Sequence, residues 1–141
     1  MIRIEERLPT ADEYNALRAD AGWGTYDHDV ARRWLPASLY GVCAVDEGVT
    51  VGMARVIGDG GLAFYIQDVV VAAAYRRQGI GKRLLERVMA FVASRAHPGT
   101  VVGLMSAAGK EAFYEPFGFV RRPNDRLGCG MTLFWPRAGS V

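Results

Sequence analysis

Residues 74–92 read "AYRRQGIGKRLLERVMAFV": a basic turn, two glycines one residue apart, then apolar positions at helical spacing. Ile80, Leu84, Val88 and Val92, with Leu85 and Met89 beside them, predict a helix packed by one face. The apolar run "LAFYIQDVVV" (62–71) precedes the turn, and "TVVGLM" (100–105) follows the helix after "HPGT", as a short buried strand. A strand–turn–helix–strand unit closes by a right-handed crossover, which makes its two strands parallel neighbours.

Upstream, the period is that of strands. "SLYGVCAVD" (38–46) and "VTVGMARVI" (49–57) flank Glu47-Gly48, a hairpin turn, and "GDGG" (58–61) is a second turn leading into 62–71. Three neighbouring antiparallel strands result. "IRIEER" (2–7) alternates as a further strand. "TADEYNALRADAG" (10–22) opens with Thr10 and Glu13 spaced as a capping box, carries Tyr14 and Leu17 on one face, and stops at Gly22. "DHDVARRWL" (27–35) predicts a short helix ended near Pro36, with Trp34 on its core face. "GKEAFYEPF" (109–117) is one or two helical turns cut off at Pro116, and "GFV" (118–120) and "CGMTLFW" (129–135) are expected to finish the sheet. The expected fold is α/β (α+β): a mixed sheet, mostly antiparallel with a central parallel pair, flanked by helices.

A chain of 141 residues, half of them hydrophobic, is expected to form one domain, 1–141, around a single core. No apolar run reaches the length of a membrane span, and two glutamates stand where a signal peptide needs its apolar segment. A cytoplasmic location is the expectation. A net charge of +2 does not by itself imply nucleic acid. Arg76, Arg77, Lys82, Arg83 and Arg87 nevertheless cluster around the glycine turn, either as a solvated helix face or as an anion site. The adjoining glycines favour the anion site. Cys43 and Cys129 lie far apart, are expected to be reduced, and with only His28 and His97 beside them make no zinc site. No metal is expected.

The glycines can be tested against known phosphate turns. A dinucleotide fingerprint fails because Leu84 occupies the third glycine position, and a nucleotide phosphate loop fails because Arg83 follows Gly81-Lys82. What remains is Arg76-x-x-Gly79-x-Gly81 running into a helix. Glycine lets a ligand approach the backbone, and the free N–H groups of the first helical turn, with the helix dipole, favour an anion there. A pyrophosphate suits such a turn better than an isolated carboxylate.

These residues resemble the acetyl-CoA motif of the GNAT superfamily of N-acetyltransferases, [RQ]-x-x-G-x-[GA]. "AFYEPFGF" (112–119) is similar to its second signature, a Tyr in a short helix before a Gly-Phe turn, and the order of elements matches from end to end. The resemblance implies acetyl-CoA as co-substrate, with its pyrophosphate cradled by the backbone amides of Arg77, Gln78, Gly79, Ile80, Gly81 and Lys82, Arg76 heading the motif. It implies a pantetheine arm paired along Val69, Val70 and Val71, and a slot where that strand splays from 100–105. Tyr114 falls where the family's general acid protonates the leaving thiolate; a buried phenol beside Phe113 and Phe117 is the plainer alternative. An Asn that many relatives carry shortly before that Tyr is missing from "SAAGKEAFY" (106–114), which leaves Ser106 or Lys110 for its contact.

Attack on a thioester needs a neutral amine, hence a base acting directly or through water. Asp68, a carboxylate in an apolar strand, is one candidate; pairing with Arg55 or capping a backbone N–H is the other reading of the same residue. Glu111 and Glu115 are weaker candidates. Trp23 and Tyr26 are expected to form an aromatic wall able to receive a ring or a cation, with Tyr65 on the substrate side, and His28 is expected to be an exposed bystander.

"GMARVIGDG…YIQDVVV…FGF…GMTLFW" is further similar to the arylalkylamine (serotonin-type) N-acetyltransferases of plants and cyanobacteria, which favours a small primary amine as acceptor. The rival expectations are a protein N-terminus or lysine as acceptor, a non-catalytic acyl-CoA-binding module, and nucleic-acid binding by the arginine cluster. Dimers are common in the superfamily, and exposed strand edges would permit a homodimer here.

Overall fold

The computed structural model describes residues 1–136. The chain divides after Leu104 into two compact units.

In the first unit the elements run β1 (Ile2–Glu5), α1 (Ala11–Asp20), α2 (His28–Trp34), β2 (Tyr40–Asp46), β3 (Val49–Gly58), β4 (Ala63–Val71), α3 (Ile80–Arg95) and β5 (Val101–Gly103). The sheet order is β1-β2-β3-β4-β5, antiparallel up to β4, with β4 and β5 parallel. The expected capping box opens α1: the Glu13 N–H donates to Thr10 Oγ1 at 3.2 Å, and the Thr10 N–H donates to Glu13 Oε1 at 2.8 Å. Ala11, Tyr14 and Leu17 are the buried face of this helix.

Both expected hairpins form. Glu47 and Gly48 link β2 to β3 with φ of 48° and 82°, the left-handed pair that a two-residue hairpin favours. Between β3 and β4 the Asp59 carboxylate accepts from the N–H groups of Gly61, Leu62 and Ala63 at 2.8–3.1 Å. Gly58 is required there: at φ 146° a Cβ would lie 2.1 Å from the Ala63 carbonyl oxygen. α3 then crosses β2, β3 and β4, burying Ile80, Leu84, Leu85, Val88 and Val92, as the spacing in the sequence predicts.

In the second unit α4 (Glu111–Tyr114) passes into a single 3₁₀ turn, Glu115–Phe117, that carries Pro116 and ends at Gly118. Phe113, Tyr114, Phe117 and Phe119 form an aromatic cluster with centroids 5.0–6.2 Å apart.

Three expectations are corrected. Among the described residues "GFV" and "CGMTLFW" form no strands, and the parallel pair β4–β5 is the last of the sheet order. β5 is three residues long and its Val101 is 66% exposed, where a buried strand was expected. Trp34 is 62% exposed, with the Arg33 guanidinium 5.5 Å from its ring, because α2 buries only Ala31. Strand propensity and helical phase supply a pattern; a partner surface has to exist for the pattern to be buried. Among the described residues no helix is long and apolar enough to cross a membrane.

Candidate active site

Midway along β4 the ladder with β3 slips. Gln67 faces Arg55 and Val70 faces Met53, so Asp68 and Val69 together oppose Ala54 alone. This is a β-bulge, and Asp68 sits in it at φ 60°, a left-handed conformation that costs a non-glycine residue energy. The side chain secures it. Asp68 Oδ2 accepts from the Tyr14 hydroxyl at 2.7 Å and from Arg55 Nε at 2.8 Å, while Oδ1 accepts from Arg18 Nη1 at 2.9 Å. The carboxylate is 1% exposed. Burial, then the Asp68 charge and hydrogen bond, push the Tyr14 phenol up to about 12, so it remains a donor.

Of the two readings of Asp68, the pairing with Arg55 is therefore present, joined by Arg18, which sequence reasoning missed. Its signal was there: Tyr14 and Arg18 are four residues apart, on one face of α1. Both oxygens are held by guanidinium groups, Oδ1 by Arg18 and Oδ2 by Arg55.

Arg18 also organises the loop between α1 and α2. Its Nε donates to the Gly24 carbonyl at 3.0 Å and its Nη2 to the Trp23 carbonyl at 3.3 Å. Asn15 adds a reciprocal pair with the Tyr26 backbone, at 2.9 and 3.0 Å. Trp23 and Tyr26 both face a cation of the chain itself: the Arg18 guanidinium carbon is 5.6 Å from the Trp23 ring and 5.0 Å from the Tyr26 ring. Trp23 and Tyr26 are 38% and 50% exposed, and Tyr65 is half-buried on β4 opposite Ile57. His28 begins α2 with Nε2 3.2 Å from an Asp12 oxygen, away from this cluster's hydrogen bonds.

The glycine turn opens α3. Arg77 and Gly79 both take left-handed φ, 65° and 77°, and Gly79 is the N-cap with no side chain capping the helix. No acidic residue stands in the first turn of α3, so its free N–H groups and dipole face no competing anion there. Arg76 Nε returns to the Val71 carbonyl at 3.1 Å and fixes the turn to the end of β4. On its outer side β4 is paired with β5 only at Ala63, Phe64 and Tyr65. Beyond Tyr65 no ladder partner joins Val69 and Val70 on that side among the described residues; Val71 has its carbonyl engaged by Arg76.

In the second unit, burial pushes the Tyr114 hydroxyl above the ordinary phenol range, with no charged neighbour contributing. It is thus a protonated group throughout neutral pH. Glu115 pairs with Arg121 at 2.8 Å, which lowers its pKa and weakens it further as a base. The Ser106 hydroxyl donates to the Ala107 carbonyl at 2.8 Å.

Compared with known families, residues 14–134 match the acetyltransferase (GNAT) domain. The chain belongs to the GNAT family. The match runs through the α3 turn and the Tyr114 helix alike. Among solved structures, a protein of meticillin-resistant Staphylococcus aureus described as a probable acetyltransferase is 31% identical, with a TM-score of 0.88 over 96% of this chain and 100% of its own. A GNAT-family acetyltransferase of Streptococcus pneumoniae is 24% identical, with a TM-score of 0.77 over 97% of this chain and 99% of its own. The glucosamine-6-phosphate N-acetyltransferase of Arabidopsis thaliana is 17% identical, with a TM-score of 0.69 over 96% and 99%, and shares the fold. No curated protein matches the chain.

GNAT acetyltransferases use acetyl-CoA as co-substrate, and the residues of this GNAT domain fit its two anchoring parts. The uncapped, acid-free start of α3 suits the pyrophosphate, and a Cβ built on Gly79 meets nothing within 4 Å, which leaves that approach open. The unpaired edge of β4 suits an extended amide-bearing chain.

Proposed function

We propose that residues 1–141 act as one catalytic domain in the cytoplasm. It transfers an acetyl group from acetyl-CoA to the primary amine of a small molecule, by direct attack in a ternary complex. The observation that carries this reading is the turn Arg76–Lys82, whose left-handed Arg77 and Gly79 lead into an uncapped helix start beside an open strand edge.

In this reading the thioester of acetyl-CoA supplies the activated acetyl group. The amides from Arg77 to Lys82 bind its pyrophosphate, with Arg76 fixing the turn, and the backbone of Val69, Val70 and Val71 aligns the pantetheine. Tyr114, kept neutral by burial, gives its proton to the departing thiolate. Asp68 acts as a positioning residue: through Arg18 it sets the loop that bears Trp23 and Tyr26 against β4. The acceptor ammonium gives up its proton to water first, and the neutral amine that results attacks the thioester carbonyl. Cys43 is fully buried with its thiol pushed up to about 11 by burial, which suits core packing and not an acyl-enzyme.

The short loop carrying Trp23 and Tyr26 supports a compact acceptor, and the arylalkylamine-like motifs favour an aromatic amine. That the same fold occurs in an enzyme named for glucosamine 6-phosphate, a small amine, is in keeping with this. A thiol-release assay with acetyl-CoA tests it against tryptamines, phenylethylamines, polyamines, aminoglycosides, amino sugars and a lysine peptide. Turnover on a small amine is expected. Turnover confined to the peptide would transfer the function to a protein acceptor, and binding of CoA without any turnover would make the chain an acyl-CoA-binding module.

A further inference from the structure

The Asp68 cluster does not balance its own charge. Arg18 and Arg55 both pair with the one carboxylate, at 2.9 and 2.8 Å, and no second acid pairs with either among the described residues. The acids of α1 are engaged elsewhere: Asp12 lies against His28, Glu13 pairs with Arg7, and Asp20 accepts from the Ala73 N–H. Two cations and one anion leave the cluster at +1. One guanidinium is enough to hold Asp68 in its bulge. The second carries a desolvation cost that no further carboxylate among the described residues offsets.

Donors are left over as well. A guanidinium has several N–H groups in a fixed fork. Arg55 gives Nε to Asp68 and Nη1 to Ser38 Oγ at 3.1 Å, and its Nη2 donates to nothing among the described residues. No buried side-chain nitrogen or oxygen lacks a partner there, so Nη2 reaches the surface although the side chain is only 18% exposed. Half-open ground lies on the same side of the sheet. Arg55 faces Gln67 across the ladder, so Gln67 and, two residues earlier, Tyr65 share its face. That face is closed at Val70, which packs in one core cluster with Tyr14 and Leu17 of α1, and half-buried at Gln67 and Tyr65.

We propose that this unused guanidinium surface receives an anionic group of the acceptor amine, a carboxylate or a phosphate; the assignment rests on the acetyl-transfer reading above and narrows its acceptor. A planar fork of N–H donors suits either oxyanion, and partial burial strengthens the charge-assisted bonds it makes. Polyamines and aminoglycosides, whose further charges are positive, are disfavoured by the same surplus.

Matched acceptors test this, because the anion can be added far from the amine. Phenylethylamine, its para-carboxy derivative and tyramine O-phosphate share one reacting group and differ in charge. The kcat/KM of an anionic member is expected to exceed that of phenylethylamine by about 10–100-fold, the worth of one charge-assisted hydrogen bond. The carboxylate and phosphate arms show which oxyanion is preferred. Gln67→Glu then supplies the missing negative charge and leaves both arginines in place, since Gln67 Nε2 lies 3.5 Å from Asp68 Oδ1. It should erase that preference and leave turnover of phenylethylamine nearly unchanged.

Calorimetry with ligands that lack an amine makes a second readout, independent of turnover. With CoA present to fill the turn before α3, phenylacetate or phenyl phosphate is expected to bind the unaltered chain, and neutral phenylacetamide is not. Binding of the anion should weaken about 10-fold or more in Gln67→Glu. Such binding without thiol release on any amine would overturn the acetyl-transfer reading and keep the anion site. Absent anion binding, or binding untouched by Gln67→Glu, overturns the proposal, as does equal kcat/KM across the matched amines.

Discussion

Arg18 donates to the buried Asp68 carboxylate at 2.9 Å while the same guanidinium holds the Trp23 and Gly24 carbonyls. One side chain therefore joins helix α1, the loop after it and the bulge of β4. Removing the carboxylate strands two largely buried cations, since Arg18 and Arg55 are 13% and 18% exposed. Asp68→Ala is expected to cost about 3–5 kcal/mol in urea unfolding, the range for breaking a buried pair. In Asp68→Asn, which retains the fold better, the acceptor KM should rise with little change in the pH dependence of kcat. Loss of the limb of kcat that reports deprotonation, at unchanged stability, would make Asp68 the base after all.

Tyr114→Phe keeps the ring in its aromatic cluster and deletes the proton. Turnover is expected to fall by about 10²–10⁴-fold, the usual worth of a general acid, while CoA affinity measured by calorimetry stays within a factor of about two. Unimpaired turnover would leave Tyr114 as a packing residue.

The helix start makes two separable demands. Gly81→Glu puts a carboxylate into the first turn of α3 and should abolish CoA binding while the fold persists. Gly79→Ala meets no neighbour but must hold φ at 77°, so it is expected to lose about 1–2 kcal/mol of stability. Normal CoA affinity in the Gly81 variant would remove the pyrophosphate from this turn.

Gly58→Ala tests the hairpin between β3 and β4, far along the chain from the glycine turn. Its Cβ would have to displace backbone, the Ala63 carbonyl at 2.1 Å, and no flexible side chain lies in the way to yield instead. A lowered denaturation midpoint, or a chain recovered insoluble, is expected, whereas Gly48→Ala, with open space around its Cβ, should be much milder.

Acid should weaken the fold through Glu13. Burial alone would raise this carboxyl, but its bonds to Arg7, the Thr10 N–H and Thr50 outweigh burial and bring it down to about 2 from an ordinary 4.5. A depressed folded-state value means that the contribution is complete above about pH 4.5 and disappears as pH falls towards 2. With Arg7 37% exposed, solvent screening limits it to about 1–2 kcal/mol. Unfolding midpoints measured between pH 6 and pH 2.5 should fall less steeply in Glu13→Gln than in the unaltered chain; parallel slopes would contradict the assignment.

Much of this molecule follows from short-range pattern. The capping pair Thr10 and Glu13, the Glu47-Gly48 hairpin, the face of α3 and the Arg76-x-x-Gly79-x-Gly81 turn are each set within a few residues, by hydrogen bonds or steric limits that neighbours in sequence already satisfy. Those elements are legible because their causes are local. Asp68 was visible as an odd charge in an apolar strand, yet its meaning depends on Arg18, fifty positions away, and on a one-residue slip in pairing that no local pattern announces.

The sequence by itself therefore determined where the helices and hairpins lie and where the glycine turn opens α3. Tertiary structure decided what those elements face. It placed the Arg18 guanidinium against Trp23 and Tyr26, paired both oxygens of Asp68 with Arg18 and Arg55, and left Trp34 and the strand-like 131–135 exposed. The physical reason is the same in each case. Propensity and periodicity are properties of a few adjacent residues, whereas ion pairing and burial depend on which distant surface arrives to complete them.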